Sequence, residues 1–196
     1  MRLRYLAGAF AFFLQPGTAQ SHEAFGDLGP FYQGLLHPLA DPAQGLVLAG
    51  IAVLLARQPV QVVRPAFLVL LLCACFGPLI HLAVSTPSLD SRSAGLVAVI
   101  LGGVAIFGIA LPAGLVAIMA GAIALLAGIA GDVLTDVRSL LLSTGGTAVG
   151  IAIFVLFLWA ALDIIQSRLG RLAGAVAGSW VVAIGVMAAA LPGAPA

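Results

Sequence analysis

Charge is what this sequence has least of. Only 8% of its 196 residues are charged, 62% are hydrophobic, and all eight basic residues are arginine because the chain contains no lysine. A water-soluble protein of this length needs far more polar surface to stay dispersed. The composition therefore predicts an integral membrane protein, and a net charge of +1 leaves no basic patch for nucleic acid.

The sequence also lacks the short motifs on which common enzyme chemistry depends. It contains no phosphate-binding GxxxxGK[ST] loop, no HExxH zinc motif, no GxSxG motif with a catalytic triad and no CxxCH haem site. Its two cysteines, Cys73 and Cys75, lie in one apolar run and point in nearly opposite directions on a helix, so they cannot jointly hold a metal. We therefore predict no enzymatic activity and no tightly bound cofactor.

The first residues of the sequence have the pattern of a secretory signal peptide. Two arginines give a positive start, and an apolar stretch too short to span a bilayer is broken by Pro16 and Gly17. Small residues permit cleavage after Ala19 or after Ser21, and the second cut makes His22 the new N-terminus. An uncleaved anchor helix is the alternative.

Taking 1–21 as the signal peptide leaves a mature chain, 22–196, with six apolar segments. Each of the last five is near the ~20 residues that a helix needs to cross the hydrocarbon core. Backbone groups in lipid must be satisfied within the segment, which predicts an all-α transmembrane domain of six helices. The segments lie at 34–56, 65–84, 94–111, 113–130, 146–165 and 172–191.

The arginines predict how this domain is oriented. An exported signal places the mature N-terminus outside, and the inner loops then carry more arginine than the outer loops, as the positive-inside rule requires. The inner arginines are Arg57, Arg64, Arg168 and Arg171, and the outer ones are Arg92 and Arg138. We therefore predict a multi-pass protein of a bacterial inner membrane.

The same orientation puts every histidine and six of the seven acids on the outer side or at outer helix ends. Two interpretations stay open. The outer face can be a mouth that collects cations, or its loops can simply hold the polar residues that any loop needs.

The first apolar segment is interrupted. Only 45–56 is continuously apolar, about 18 Å of helix, which is too short to span a bilayer alone. The preceding residues have the pattern of a helix start, with Asp41 as N-cap, Pro42 at the first helical position and Gln44 closing a capping box. We therefore expect a broken helix that leaves His37 and Asp41 in the outer half of the membrane, where irregular backbone needs protein or a watery cavity around it.

Several residues are candidate metal ligands, each with an alternative. His37 and Asp41 can line a cavity and bind a cation, or Asp41 can act only as a cap while His37 lies at the interface. His81 is either a ligand or an interfacial residue, and a free His22 can chelate copper or nickel through its amine and imidazole. The remaining candidates are the outer carboxylates Asp90 and Asp132.

Small residues favour close helix packing within the chain over dimerisation. GxxxG patterns occur at 146–150 and at 174–178. Such pairs of glycines let two helix backbones approach closely.

The stretch FYQGLLHPL at 31–39 resembles the motif FxxGxxHPxxGxDH that opens the HupE/UreJ family. These are bacterial membrane proteins associated with nickel supply to hydrogenase and urease, and some are implicated in cobalt. Gly34, His37 and Pro38 match the motif, and the six predicted helices follow it with similar spacing. Ala43 and Gln44 stand where the family has Asp-His, while Asp41 falls on the family's glycine, two residues before the family's aspartate.

A second family pattern, HGxAHGxE near the end of the fourth helix, has no histidine in the comparable stretch at 128–132. The resemblance implies a secondary permease for a divalent transition metal, Ni²⁺ first and Co²⁺ second, with His37 as the central ligand. The missing histidines favour a rival, a non-transporting membrane subunit or assembly factor that packs against a larger membrane complex. A homo-oligomer and a channel for a small neutral solute stay open.

Overall fold

The computed structural model describes residues 28–83, 89–129 and 136–190. The predicted signal peptide at 1–21, His22 and Asp132 lie outside these residues. Within them the chain forms seven α-helices and no strand, which confirms the all-α prediction. The helices are α1 (Pro30–Ala40), α2 (Pro42–Ala56), α3 (Val60–Ala83), α4 (Ser91–Phe107), α5 (Ala113–Ile129), α6 (Val137–Leu169) and α7 (Leu172–Ala190).

The first predicted helix is broken, as the sequence indicates. α1 and α2 are separated by Asp41 alone and meet at an angle of 72°. Asp41 has an extended backbone, with φ −87° and ψ 112°, because the residue before a proline is sterically disfavoured from the helical region. Pro42 then starts α2, where its missing N–H costs no hydrogen bond.

α2 forms the centre of the bundle. It contacts α1, α4, α5, α6 and α7, and ten of its fifteen residues are buried. The other helices form pairs around it, α3 with α5, α4 with α7 and α1 with α6. A helix that is apolar on every side is buried on every side, which explains why α2 can be shorter than a bilayer crossing.

Glycines set the distance between paired helices. A Cβ at Gly146 of α6 would overlap the carbonyl of Phe31 on α1, and one at Gly34 would overlap the carbonyl of Ser143. In the α4–α7 pair, Gly102 and Gly178 face each other in the same way. Close backbone packing stabilises helix association in lipid, where apolar burial gives little advantage. The first GxxxG pattern is thus used within the chain, as predicted.

The outer surface of the bundle is apolar. Large apolar side chains that are more than half exposed occur on each outer helix. They include Leu68, Leu72, Ile118, Phe157, Trp180 and Met187. The surface is suited to contact with lipid.

Helix lengths agree with a membrane protein but differ from the predicted segments. Within the described residues α3, α6 and α7 are long and apolar enough to cross a bilayer, and the bent pair α1–α2 makes up to four candidates. α4 and α5 have 17 residues each, about 26 Å at ~1.5 Å per residue, against a hydrocarbon core of ~30 Å. α6 has 33 residues, more than the predicted segment at 146–165, and its added N-terminal turns pack on α1.

Polar residues divide between the two ends of the bundle. Asp41, Asp90 and Asp136 are the N-caps of α2, α4 and α6, which run in the same direction, and we call this the aspartate end. At the opposite end Arg57 donates to carbonyls at the end of α4 and at the start of α7, and we call this the arginine end. The presence of three aspartates at one end therefore follows partly from capping, since aspartate is a preferred N-cap residue.

Candidate functional site

The break between α1 and α2 brings three polar side chains together. His37 lies in the last turn of α1, Asp41 lies at the junction, and Gln44 lies in the first turn of α2. Gln44 is fully buried, whereas His37 and Asp41 are partly exposed. We call His37, Asp41 and Gln44 the junction cluster.

The carboxylate of Asp41 is held by the start of α2. Its Oδ1 accepts from the backbone N–H of Ala43 at 2.8 Å and of Gln44 at 3.4 Å, which confirms the predicted N-cap. Its Oδ2 accepts from Nε2 of Gln44 at 3.0 Å. The predicted capping box is wrong in this detail, because the side chain of Gln44 bonds the carboxylate. The backbone N–H of Asp41 donates instead to the carbonyl of His37, at 3.0 Å.

The amide of Gln44 also reaches the imidazole. Its Nε2 lies 3.2 Å from Nε2 of His37, and the bond to Asp41 requires that this atom be the NH₂ group. One N–H therefore donates to the carboxylate and the other to the ring. In this arrangement Nε2 of His37 is the acceptor.

The remaining amide atom of Gln44 is an acceptor without a donor. Oε1 is buried and has no hydrogen-bond partner in the part of the chain that the structure describes. A buried oxygen in this state carries a desolvation cost of ~1–3 kcal/mol. If the amide of Gln44 turned over, its Oε1 would face His37 and Asp41. A cation could then be bound by three atoms, namely Oε1 of Gln44, Nε2 of His37 and Oδ2 of Asp41.

The other predicted ligands do not join this cluster in the described residues. Asp90 caps α4, where both of its oxygens accept from Ser93, and these bonds hold the pKa of Asp90 below its usual value. His81 lies in α3, but its side chain is outside the described residues, as are His22 and Asp132. Among the described residues no group of three or more His, Cys, Asp or Glu is placed to hold a metal ion.

A second polar site, at the arginine end, was not predicted. Arg57 is the C-cap of α2. It donates from Nε to the carbonyl of Ala105 at 3.0 Å, and from Nη1 to the carbonyl of Arg171 at 2.7 Å and to Oε1 of Gln166 at 3.2 Å. Cations are favoured at helix C-termini, where unpaired carbonyls and the helix dipole are negative. Burial and then the charge of Arg171 lower the pKa of Arg57.

Two glutamines complete the site at the arginine end. Gln58 donates to the carbonyl of Ile109 and accepts from the N–H of Leu111, both at 3.0 Å, and so holds the α4–α5 loop. Gln166 donates to the carbonyl of Ala56 at 2.9 Å. The one signal in the sequence is that each glutamine stands at the end of an apolar run.

Comparisons with family models, with curated proteins and with solved structures found no match to this chain.

Proposed function

We propose that this protein is a multi-pass membrane permease for a divalent transition-metal cation, with nickel as the leading substrate and cobalt the next. The observation that carries the proposal is the junction cluster, in which Nε2 of His37 and Oδ2 of Asp41 lie against one buried amide. Imidazole nitrogen and carboxylate oxygen are suitable ligands for Ni²⁺ and Co²⁺.

The position of the cluster supports the proposal. Irregular backbone within a membrane is tolerated beside a cavity or protein, and broken helices of transporters bind their substrates at such places. We infer six crossings, with α1 and α2 counted as one and with α4 and α5 as the short ones. The aspartate end would face outward, because four of the six arginines after the predicted signal peptide then lie inside.

The electrostatics require Asp41. The N-terminus of α2 is positive and would repel a divalent cation, so the carboxylate must offset both the helix dipole and part of the ion's charge. The membrane potential would then supply ~2.3 kcal/mol per charge per 100 mV for inward movement. Water would complete the coordination, since the cluster offers few ligands of its own.

Uptake into proteoliposomes tests the proposal. Purified protein is reconstituted with a metal-sensitive dye inside, and Ni²⁺ entry is followed with and without an inside-negative potential. We expect potential-dependent entry that is lost in His37→Ala and kept in Gln61→Ala, which alters an exposed residue of α3. Entry in neither the wild type nor the control variant, with intact folding, would overturn the proposal.

One observation favours a second candidate, a non-transporting membrane subunit. The junction cluster satisfies most of its own hydrogen bonds, and the described residues contain no three-ligand group of the usual metal-binding types. A subunit would co-purify with a membrane complex from its native host, and His37→Ala would change neither that association nor metal uptake.

A further inference from the structure

The arginine end contains a pocket that the proposed transport does not use. Its volume is about 330 Å³, and its walls include Arg57, Arg171, Gln58, Ser167 and Asp163. This volume lies at the lower end of the range for small-molecule sites, ~300–1,000 Å³. The pocket lies beside the C-terminal end of α2, whereas the junction cluster lies at its N-terminal end.

Among the described residues no ion pair neutralises the positive charge in this pocket. The three acceptors of Arg57 among the described residues are neutral oxygens, namely two backbone carbonyls and the amide of Gln166. The charge of Arg171 is close enough to lower the pKa of Arg57, so two like charges adjoin the same space. An anion placed between two positive charges lowers the electrostatic energy of the pair.

Arg57 also has N–H groups that donate no hydrogen bond within the described residues. Nε uses its one N–H and Nη1 uses two, but Nη2 has no acceptor in the part of the chain that the structure describes. Nη2 lies beside Gly108, and it is the first atom that a Cβ added at Gly108 would contact. Gly108 lines the same pocket. Gly174 gives Arg57 room in the same way, since a Cβ there would lie 2.6 Å from Cδ of Arg57.

We propose that this pocket binds a phosphate group, supplied by a phospholipid headgroup or by a phosphate-bearing solute. Nη2 of Arg57 and the guanidinium of Arg171 would donate to the phosphate oxygens, with the hydroxyl of Ser167 as a further donor. Arginine suits this role because its planar N–H groups match phosphate oxygens in pairs. Basic pockets between membrane helices are known to bind lipid headgroups. Among the described residues that line the pocket, Asp163 is the one acid, and its negative charge would repel an anion.

Thermal stability of the detergent-solubilised full chain tests this proposal. The protein is titrated with phosphatidylglycerol, with phosphatidylcholine and with inorganic phosphate, in separate arms. Stabilisation by inorganic phosphate indicates a solute site. Stabilisation by a phospholipid but not by inorganic phosphate indicates a headgroup site. Either result supports phosphate binding. No stabilisation in any arm overturns it.

Three variants show whether the effect belongs to this pocket. Arg171→Gln should weaken binding at least ~10-fold, because a charged hydrogen-bond donor is lost. Arg168→Gln removes a nearby exposed arginine that does not line the pocket and should have no effect. Asp163→Asn removes the opposing charge and should tighten binding several-fold, an effect that a purely structural role would not give. Equal losses in both arginine variants, or no gain in Asp163→Asn, would overturn the assignment.

Discussion

Nε2 of Gln44 lies 3.2 Å from Nε2 of His37 across a helix break of 72°. The same amide group donates to Oδ2 of Asp41 at 3.0 Å, so the three side chains share one polar site at the N-terminus of the central helix. When the chain is aligned with the HupE/UreJ motif FxxGxxHPxxGxDH that it resembles, Gln44 falls on the final histidine of the motif. The contact thus joins the two positions that carry histidine in that motif.

Replacing this glutamine with histidine should strengthen metal binding. In Gln44→His a second imidazole would lie beside His37 and Asp41. We expect Ni²⁺ affinity to rise at least ~10-fold, since even a hydrogen-bond partner of a metal ligand typically changes metal affinity by about 10–100-fold. Calorimetric titration of the purified variant measures the change. Gln61→His, on the exposed face of α3, is the control and should bind like the wild type. Equal affinities in all three proteins would show that the junction cluster is not a metal site.

Changing Asp41 to asparagine should separate capping from cation binding. In Asp41→Asn the new amide can still cap α2, and Gln44 can turn so that Oε1 accepts from it, so the free energy of unfolding should change by less than about 1 kcal/mol. The negative charge that offsets the helix dipole is lost, and we expect Ni²⁺ uptake to fall at least ~10-fold.

Asp136→Asn is the matched control for this change. Asp136 caps α6 at the same end of the bundle, where its carboxylate accepts a hydrogen bond from the backbone N–H of Ser139 at 2.9 Å. This variant should keep both uptake and stability. A loss of uptake in Asp136→Asn as large as in Asp41→Asn would assign the effect to surface charge.

Two neighbouring glycines of α6 should respond in opposite ways to alanine. A Cβ at Gly146 would overlap the carbonyl of Phe31, whereas a Cβ at Gly145 would meet nothing within 4 Å. Gly146→Ala should therefore lower the free energy of unfolding by about 1–3 kcal/mol, because α1 must move away from α6. Gly145→Ala should be neutral or stabilising by up to ~1 kcal/mol, through helix propensity. Denaturant titration in mixed micelles measures both, and equal effects would contradict the close α1–α6 packing.

Acid should remove the contribution of the α6 cap. Hydrogen bonds from the backbone N–H and then the hydroxyl of Ser139 hold the pKa of Asp136 below its usual value. A lowered folded-state pKa gives stability that is complete above the ordinary pKa of ~3.9 and is lost as pH falls through the folded value. The Tm difference between wild type and Asp136→Ala should therefore be constant down to about pH 4 and should shrink below it. A difference that widens in acid would contradict this assignment.

The parts that the sequence predicts are those set by near neighbours. Asp41 and Pro42 could be identified as a helix start because a cap involves only the next two or three residues. The break in the first helix follows from the same pair, together with an apolar run too short to cross a bilayer. Apolar length and composition likewise predict the all-α class.

The parts that could not be predicted depend on packing between distant segments. The contact of His37 with Gln44 requires the 72° bend, which is fixed where Gly34 and Gly146 let α1 lie against α6. Arg57 bonds to residues 48, 109 and 114 positions away, so no local pattern marks it as the centre of a polar site.

Calorimetric titration of Ni²⁺ into the lipid-reconstituted wild type and His37→Ala tests the central claim, that the imidazole at the helix break is a cation ligand. We predict that the wild type binds about one ion per chain and that His37→Ala loses at least ~10-fold in affinity while remaining folded. Identical titrations of two folded proteins would contradict the claim.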